Sequence, residues 1–145
     1  MKMNLDCIRD VLLFIIDTQI IDSNLKIVPI SCKDIYSNEK LEKYSQQEIF
    51  YSLLLLKEGQ YISCLSKSYD NTIVIFEITN VTYKGHMFYE SIREPTVWEQ
   101  TKSTAKKIGN HTLEFVEKVA HDMAVEGFKA FISGNNSSNS TTGTS

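Results

Sequence analysis

Arginine is almost missing from this 145-residue chain. Of its 15 basic residues only Arg9 and Arg93 are arginines, and the rest are lysines. Arginine makes the commonest specific contact to guanine, so its scarcity weighs against direct base readout. A net charge of −3 and a pI near 5.6 argue against bulk electrostatic attraction to nucleic acid or to an acidic membrane. The three cysteines, Cys7, Cys32 and Cys64, are odd in number and form no C-x-x-C pair. That excludes a disulfide framework and fits reduced thiols. Cys7 and Cys64 lie in apolar company and read as small core residues. No long apolar run occurs: Val11 to Ile16 is six residues, ended by Asp17. A membrane-spanning helix needs roughly 20, so no membrane partner is expected. No signal-peptide cleavage pattern follows that stretch, and a cytoplasmic location is the expectation.

Catalytic signatures are missing too. There is no G-x-S-x-G, no P-loop and no H-E-x-x-H. The three histidines, His86, His111 and His121, form no i,i+4 pair, and no cysteine or carboxylate completes a zinc spacing. His86, directly after Gly85, reads as a packed core residue. The sequence therefore predicts a binding protein rather than an enzyme, with no cofactor and no metal.

What is present is a regular order of elements. Hydrophobic residues at 42% and charged residues at 23% suit a soluble globular chain able to bury a core. Leu5, Ile8, Leu12, Ile15 and Gln19 mark one face of a first helix running from Asn4 or Leu5 to Thr18. Cys7, Val11 and Phe14 mark a second apolar face, which another helix of this chain or a second copy must cover. Leu25 to Ile30 reads as a short strand, with Pro29 making it an edge. Ser31 with Asp34 caps a short helix built on Ile35, and Ser37 to Lys40 reads as a loop.

Ser45 and Glu48 form an S-x-x-E capping box, and Ile49, Leu53 and Leu56 follow on one helical face. Gly59 is expected to end that helix as a left-handed cap. Tyr61 to Leu65 and Ile73 to Ile78 are strand-like, with Ser66 to Asn71 as the turn between them. Thr82 caps the next helix, and Gly85 within it implies close packing against another element. Pro95 opens a further helix that ends near Gly109. Thr112 starts the last helix, which ends near Ile132. Residues 133–145 carry neither apolar nor charged side chains and are expected to be disordered.

Together these elements predict an α+β fold, a winged helix-turn-helix with two additional C-terminal helices. The expected division is a winged-helix domain at 1–93, C-terminal helices at 94–132 that pack or dimerise, and the tail. Several segments resemble domain-of-unknown-function family 2513. They are the opening Met3-Asn4-Leu5-Asp6-Cys7-Ile8-Arg9-Asp10-Val11-Leu12-Leu13, then Tyr44-Ser45-Gln46-Gln47-Glu48-Ile49 with Leu53, Leu56, Gly59 and Ile62. Thr82, Gly85-His86, Phe88, Ser91-Ile92-Arg93, Val97-Trp98, Thr101 and Lys102 complete the pattern. The resemblance extends to about residue 132. It implies a small winged-helix-like protein of phages, prophages or their hosts, and it implies no activity.

Two binding functions follow as expectations. In the first, a phage-type transcriptional regulator places the helix from Gln46 to Glu58 in the major groove. Gln47, Glu48, Tyr51, Ser52 and Leu55 would be outward, with Gln46 joining them in the groove and Glu48 weighing against it by facing phosphates; Lys67 and Tyr69 would touch the backbone from the hairpin tip. It would act as a homodimer through helix one and the last helix. In the second, the same surface takes a host or phage protein, as a host-takeover or anti-defence factor. Tyr51 and Leu55 on the outer face favour that reading. Lys102, Lys106 and Lys107 form the most basic stretch and read as a solvated helix face.

Overall fold

The computed structural model describes residues 1–142, and for Phe76 and residues 135–142 the backbone alone. The first helix, α1 (Leu5–Thr18), starts where the sequence places it. The Asn4 side chain accepts from the Cys7 backbone N–H at 3.1 Å. Cys7, Ile8, Val11, Leu12 and Ile15 are all buried, and Phe14 of the second apolar face is half-buried. α1 packs against α3 (Gln46–Glu58) and against the 3-10 turn Glu39–Leu41.

The run Leu25 to Ile30 is strand only at its end, with Ile27 making an isolated antiparallel bridge to Ile21 before it. Strand β1 is only Ile30–Ser31. Asp22 explains this, since its Oδ1 accepts from the backbone N–H groups of Asn24 (2.9 Å) and Lys26 (3.0 Å). The chain turns around that carboxylate, with Leu25 at φ 61 and 87% exposed. Helix α2 (Cys32–Tyr36) follows, capped by Ser31 accepting from Lys33 N–H, with Cys32 and Ile35 buried. Ser37 to Lys40 then gives way to the 3-10 turn, capped by Asn38.

Beyond α3 come β2 (Ile62–Tyr69) and β3 (Thr72–Val81), a longer and tighter hairpin than the sequence predicts. Ser66 to Tyr69, expected in the turn, belong to β2. Only Asp70 (φ 46) and Asn71 (φ 64) form the connection. Both left-handed values belong to a two-residue hairpin turn, which Asp and Asn tolerate with little strain. The register shifts between Ser63 and Cys64 and between Leu65 and Ser66, where β3 carries the extra residues Thr79 and Phe76. Such bulges raise local twist and re-aim the outer half of a hairpin. β1 pairs with the far edge of β3, Ile30 opposite Ile78, so the antiparallel sheet has the order β1-β3-β2.

Helix α4 (Tyr83–Ile92) is tied to the α3–β2 junction. Thr82 N–H donates to the Tyr61 carbonyl at 3.0 Å, and Thr82 Oγ1 donates to the Gln60 carbonyl at 2.6 Å. The same Oγ1 accepts from Gly85 N–H at 3.0 Å, so Thr82 is the cap the sequence predicts. Lys84 Nζ donates to the Gly59 carbonyl at 3.0 Å and lies 4.6 Å from the Tyr61 ring centre. Gly59 itself is right-handed, at φ −76; the left-handed residue is Gln60, at φ 66. Gly59 is required by space instead, because a Cβ there would stand 2.5 Å from the Tyr61 ring.

The chain divides into two compact units, Met1–Glu90 and a second beginning at Ser91. In the second, α5 (Pro95–Ile108) opens on Glu94, whose carboxylate accepts from Val97 N–H at 2.9 Å, and closes on left-handed Gly109. α5 packs against α6 (Leu113–Thr142). Trp98, Thr101 and Ala105 are buried on α5, and Val116, Val119 and Ala120 on α6. The backbone of α6 runs past Ile132 to Thr142, through most of the segment expected to be disordered; residues 143–145 of that segment lie outside the described residues.

Candidate nucleic-acid interface

Two fixed ends hold α3 in place. At its start both capping-box bonds form: Ser45 N–H donates to Glu48 Oε2 at 3.0 Å, and Glu48 N–H donates to Ser45 Oγ at 3.1 Å. The Asn4 amide donates to the other Glu48 oxygen at 3.3 Å, so the cap of α1 and the cap of α3 share one carboxylate. The Ser45 N–H, with the Asn4 amide next, holds the Glu48 carboxyl below its ordinary range. Nearby, Tyr44 Oη donates to Asp10 Oδ2 at 2.6 Å, and Lys43 approaches the same carboxylate at 3.3 Å. Burial, reinforced by that bond, pushes the Tyr44 phenol well above its usual value. The far end of α3 is held by the Gly59–Tyr61 junction.

With both ends fixed, the inward face of α3 is Ile49, Leu53 and Leu56, together with Ser52. Ser52, expected to point outward, is only 2% exposed. Its hydroxyl donates to the Glu48 carbonyl at 2.9 Å and meets the Cys7 thiol. A serine that bonds back along its own helix fits an apolar face, so its polarity misleads a sequence reading. Gln46 and Gln47 are exposed, and Phe50, Tyr51, Leu54 and Leu55 are half-buried. Phe50 and Leu54 were missed by sequence reasoning. The signal was there: the helical positions opposite the Ile49–Leu53–Leu56 stripe are Gln47, Phe50, Tyr51, Leu54 and Glu58.

The structure brings three of the predicted residues together. Gln46, Gln47 and Tyr51 line one shallow hollow with Met1, Tyr36 and Phe50. A second hollow shares Tyr36 and Gln46 and adds Ser31, Cys32, Lys33, Ser37 and Ile75. Gln46 thus stands where α2, α3 and the hairpin strand β3 converge. Burial pushes the Tyr36 phenol up to about 12, so it stays a neutral donor. Leu55 lies one turn beyond Tyr51 and outside both hollows. Lys67 and Tyr69 are exposed on β2, at the turn end of the hairpin beyond the level of Ile75. They project from one face of the strand with Leu65, which is 50% exposed.

The thiols do not assemble into reactive chemistry. Burial raises Cys7 to about 11, the Ser52 hydrogen bond opposing it. Burial raises Cys32 to about 11, helped by Glu77, and Cys64 to about 12, helped by Cys32. All three are protonated and weakly nucleophilic at neutral pH. His86, expected in the core, is exposed, because the buried side of α4 is the one carrying Gly85 and Phe88. Among the described residues no group of three or more His, Cys, Asp or Glu is placed to hold a metal ion. No described helix is long and apolar enough to cross a membrane.

Comparison with curated proteins and with solved structures finds no match. A family model described as "Hypothetical protein (DUF2513)" matches residues 2–111. The matched region holds every element from α1 to α5 and stops before α6, short of the residue 132 expected from the resemblance. Since it covers well over half of the 145 residues, the chain belongs to the DUF2513 family.

Proposed function

We propose that this chain is a DNA-binding transcriptional regulator of the winged helix-turn-helix type, of the kind that phages and prophages carry. The order helix, strand, helix, helix, hairpin, with the short first strand on the far edge of the sheet, is the order such a domain uses. In that scheme α2 and α3 are the helix pair, α3 enters the major groove, and the β2–β3 hairpin is the wing. The observation that carries the reading is Gln46 and Gln47. They are exposed at the N-terminal end of α3, where a recognition helix meets base edges, and they border hollows that include α2 and β3. Lys33, Lys57 and Lys67 supply one cation on each of α2, α3 and the wing.

A homodimer would give the regulator two half-sites. Most of the apolar surface of α1 is covered within the protomer, so the dimer contact would rest chiefly on α6. Phe128, Phe131 and Ile132 there are 62%, 64% and 40% exposed.

Fluorescence-anisotropy titration of labelled duplexes over a salt series tests the proposal. Three lysines per protomer, six in the homodimer, correspond to a loss of about 2,000-fold in affinity between 50 and 200 mM salt. A preferred duplex should bind tighter than about 10⁻⁷ M, and Gln47→Ala should weaken that preference. Sequence-blind affinity weaker than about 10⁻⁵ M would reject it. The second reading, a protein partner on the same face, is favoured by one observation: Phe50, Tyr51, Leu54 and Leu55 present a half-buried apolar surface with no arginine.

A further inference from the structure

The chemistry of the α3 face also says which bases it reads, if α3 is the recognition helix as proposed above. We infer that its half-site is built of A·T pairs, with Gln46 and Gln47 reading adenine and Phe50 and Leu54 reading the 5-methyl of thymine. Four observations converge on this. First, α2, α3, β2 and β3 contain no arginine, the side chain whose planar fork best matches guanine O6 and N7. Second, the two exposed side chains at the start of α3 are both glutamines. A glutamine amide matches adenine in the major groove: its N–H donates to N7 while its carbonyl accepts from the N6 amino group.

Third, the residues next along the outward face are Phe50 and Leu54, both half-buried and uncharged. Against phosphate or a guanine edge they offer nothing. Against thymine they remove from water the one apolar group that any base displays in the major groove. Fourth, Gln46, Gln47 and Phe50 line a single hollow with Tyr36 and Tyr51. Amide and apolar surface therefore lie side by side, as the edges of consecutive A·T pairs do. The apolar character that favours a protein partner is then part of the base-reading surface. A net charge of −3 fits an affinity that comes from base contacts more than from counterion release.

Selection from a random duplex pool by the full chain, followed by base-analogue substitution in the winning duplex, tests the inference. The expected winners carry runs of A·T pairs at both half-sites. Replacing one contacted thymine by uracil removes only the methyl group and should weaken binding about four-fold. Replacing one contacted adenine by 7-deazaadenine removes the N7 acceptor and should weaken it about ten-fold. Gln47→Ala should erase the 7-deazaadenine effect at one position and leave the uracil effect intact. Phe50→Ser should do the reverse, with circular dichroism showing that both variants remain folded. Winners rich in G·C, or winners indifferent to uracil and to 7-deazaadenine, would overturn the A·T inference while leaving a DNA-binding protein. A pool in which no duplex is retained would overturn the DNA reading, and the inference with it.

Discussion

Gly85→Ala is expected to lower stability by about 3 kcal/mol, although glycine-to-alanine in a helix usually stabilises by about 1 kcal/mol. The reversal is steric. A Cβ at position 85 would fall on the backbone carbonyl oxygen of Tyr61, with Val81 Cγ1 2.7 Å away. Neither obstacle can yield cheaply. Val81 belongs to β3, and the Tyr61 carbonyl accepts from the Thr82 N–H at 3.0 Å. Moving α4 outward would therefore break the cap that starts it. Urea denaturation should show the loss as a lower midpoint at unchanged slope, and the melting temperature should fall by about 10 °C. Gly127→Ala is the matched control: nothing stands within 4 Å of a Cβ there, so the ordinary helical gain should appear. Equal effects from both substitutions would mean that α4 does not lie against the Tyr61 backbone.

Tyr61→Ala is expected to cost about 4 kcal/mol, the largest single-residue loss in the chain. Tyr61 is fully buried, and its ring lies 5.2 Å from the equally buried ring of Phe88, tilted by 43°. Lys84 covers it from 4.6 Å, and Gly59 is held to glycine by its edge. Removing the ring leaves a cavity at the meeting point of α3, β2 and α4, and cavity and lost transfer add. Tyr83→Ala, two residues before Gly85 and 81% exposed, should stay within about 0.5 kcal/mol of the parent protein. A loss below about 1 kcal/mol for Tyr61→Ala would show that the junction is not a centre of packing.

Much of this arrangement is legible in the residues, and the reasons differ by element. α1 and the capping box are written in local chemistry: Asn4, Ser45 and Glu48 act within three positions of themselves, so spacing alone locates them. Thr82 and Gly85 are legible for the same reason, since a cap and a glycine in mid-helix each have few explanations. Gly59 shows the limit. Its neighbour Gln60 takes the left-handed conformation, and glycine is needed because of a ring two residues later that only the folded chain brings back. Leu25 to Ile30 has strand composition, yet the Asp22 carboxylate offers the backbone an alternative partner. Ser66 to Ser68 read as turn because they are polar, yet polar residues are ordinary on a solvated strand. In the candidate site the outward placement of Gln46, Gln47 and Tyr51 is legible in the sequence, whereas the polarity of Ser52 misleads because its hydroxyl bonds to its own helix.

The central claim is that α3, held at both ends, and the hairpin beside it form one presented binding face. Backbone amide shift mapping by NMR of the full chain, titrated with the duplex that wins selection, tests it most directly. The account predicts the largest shifts at Gln46, Gln47, Phe50 and Tyr51, a second cluster from Lys67 to Asn71, and none along α1 from Ile8 to Ile15. Saturable shifts centred on α1 or α5, with the amides of Gln46, Gln47 and Lys67 unmoved, would contradict it.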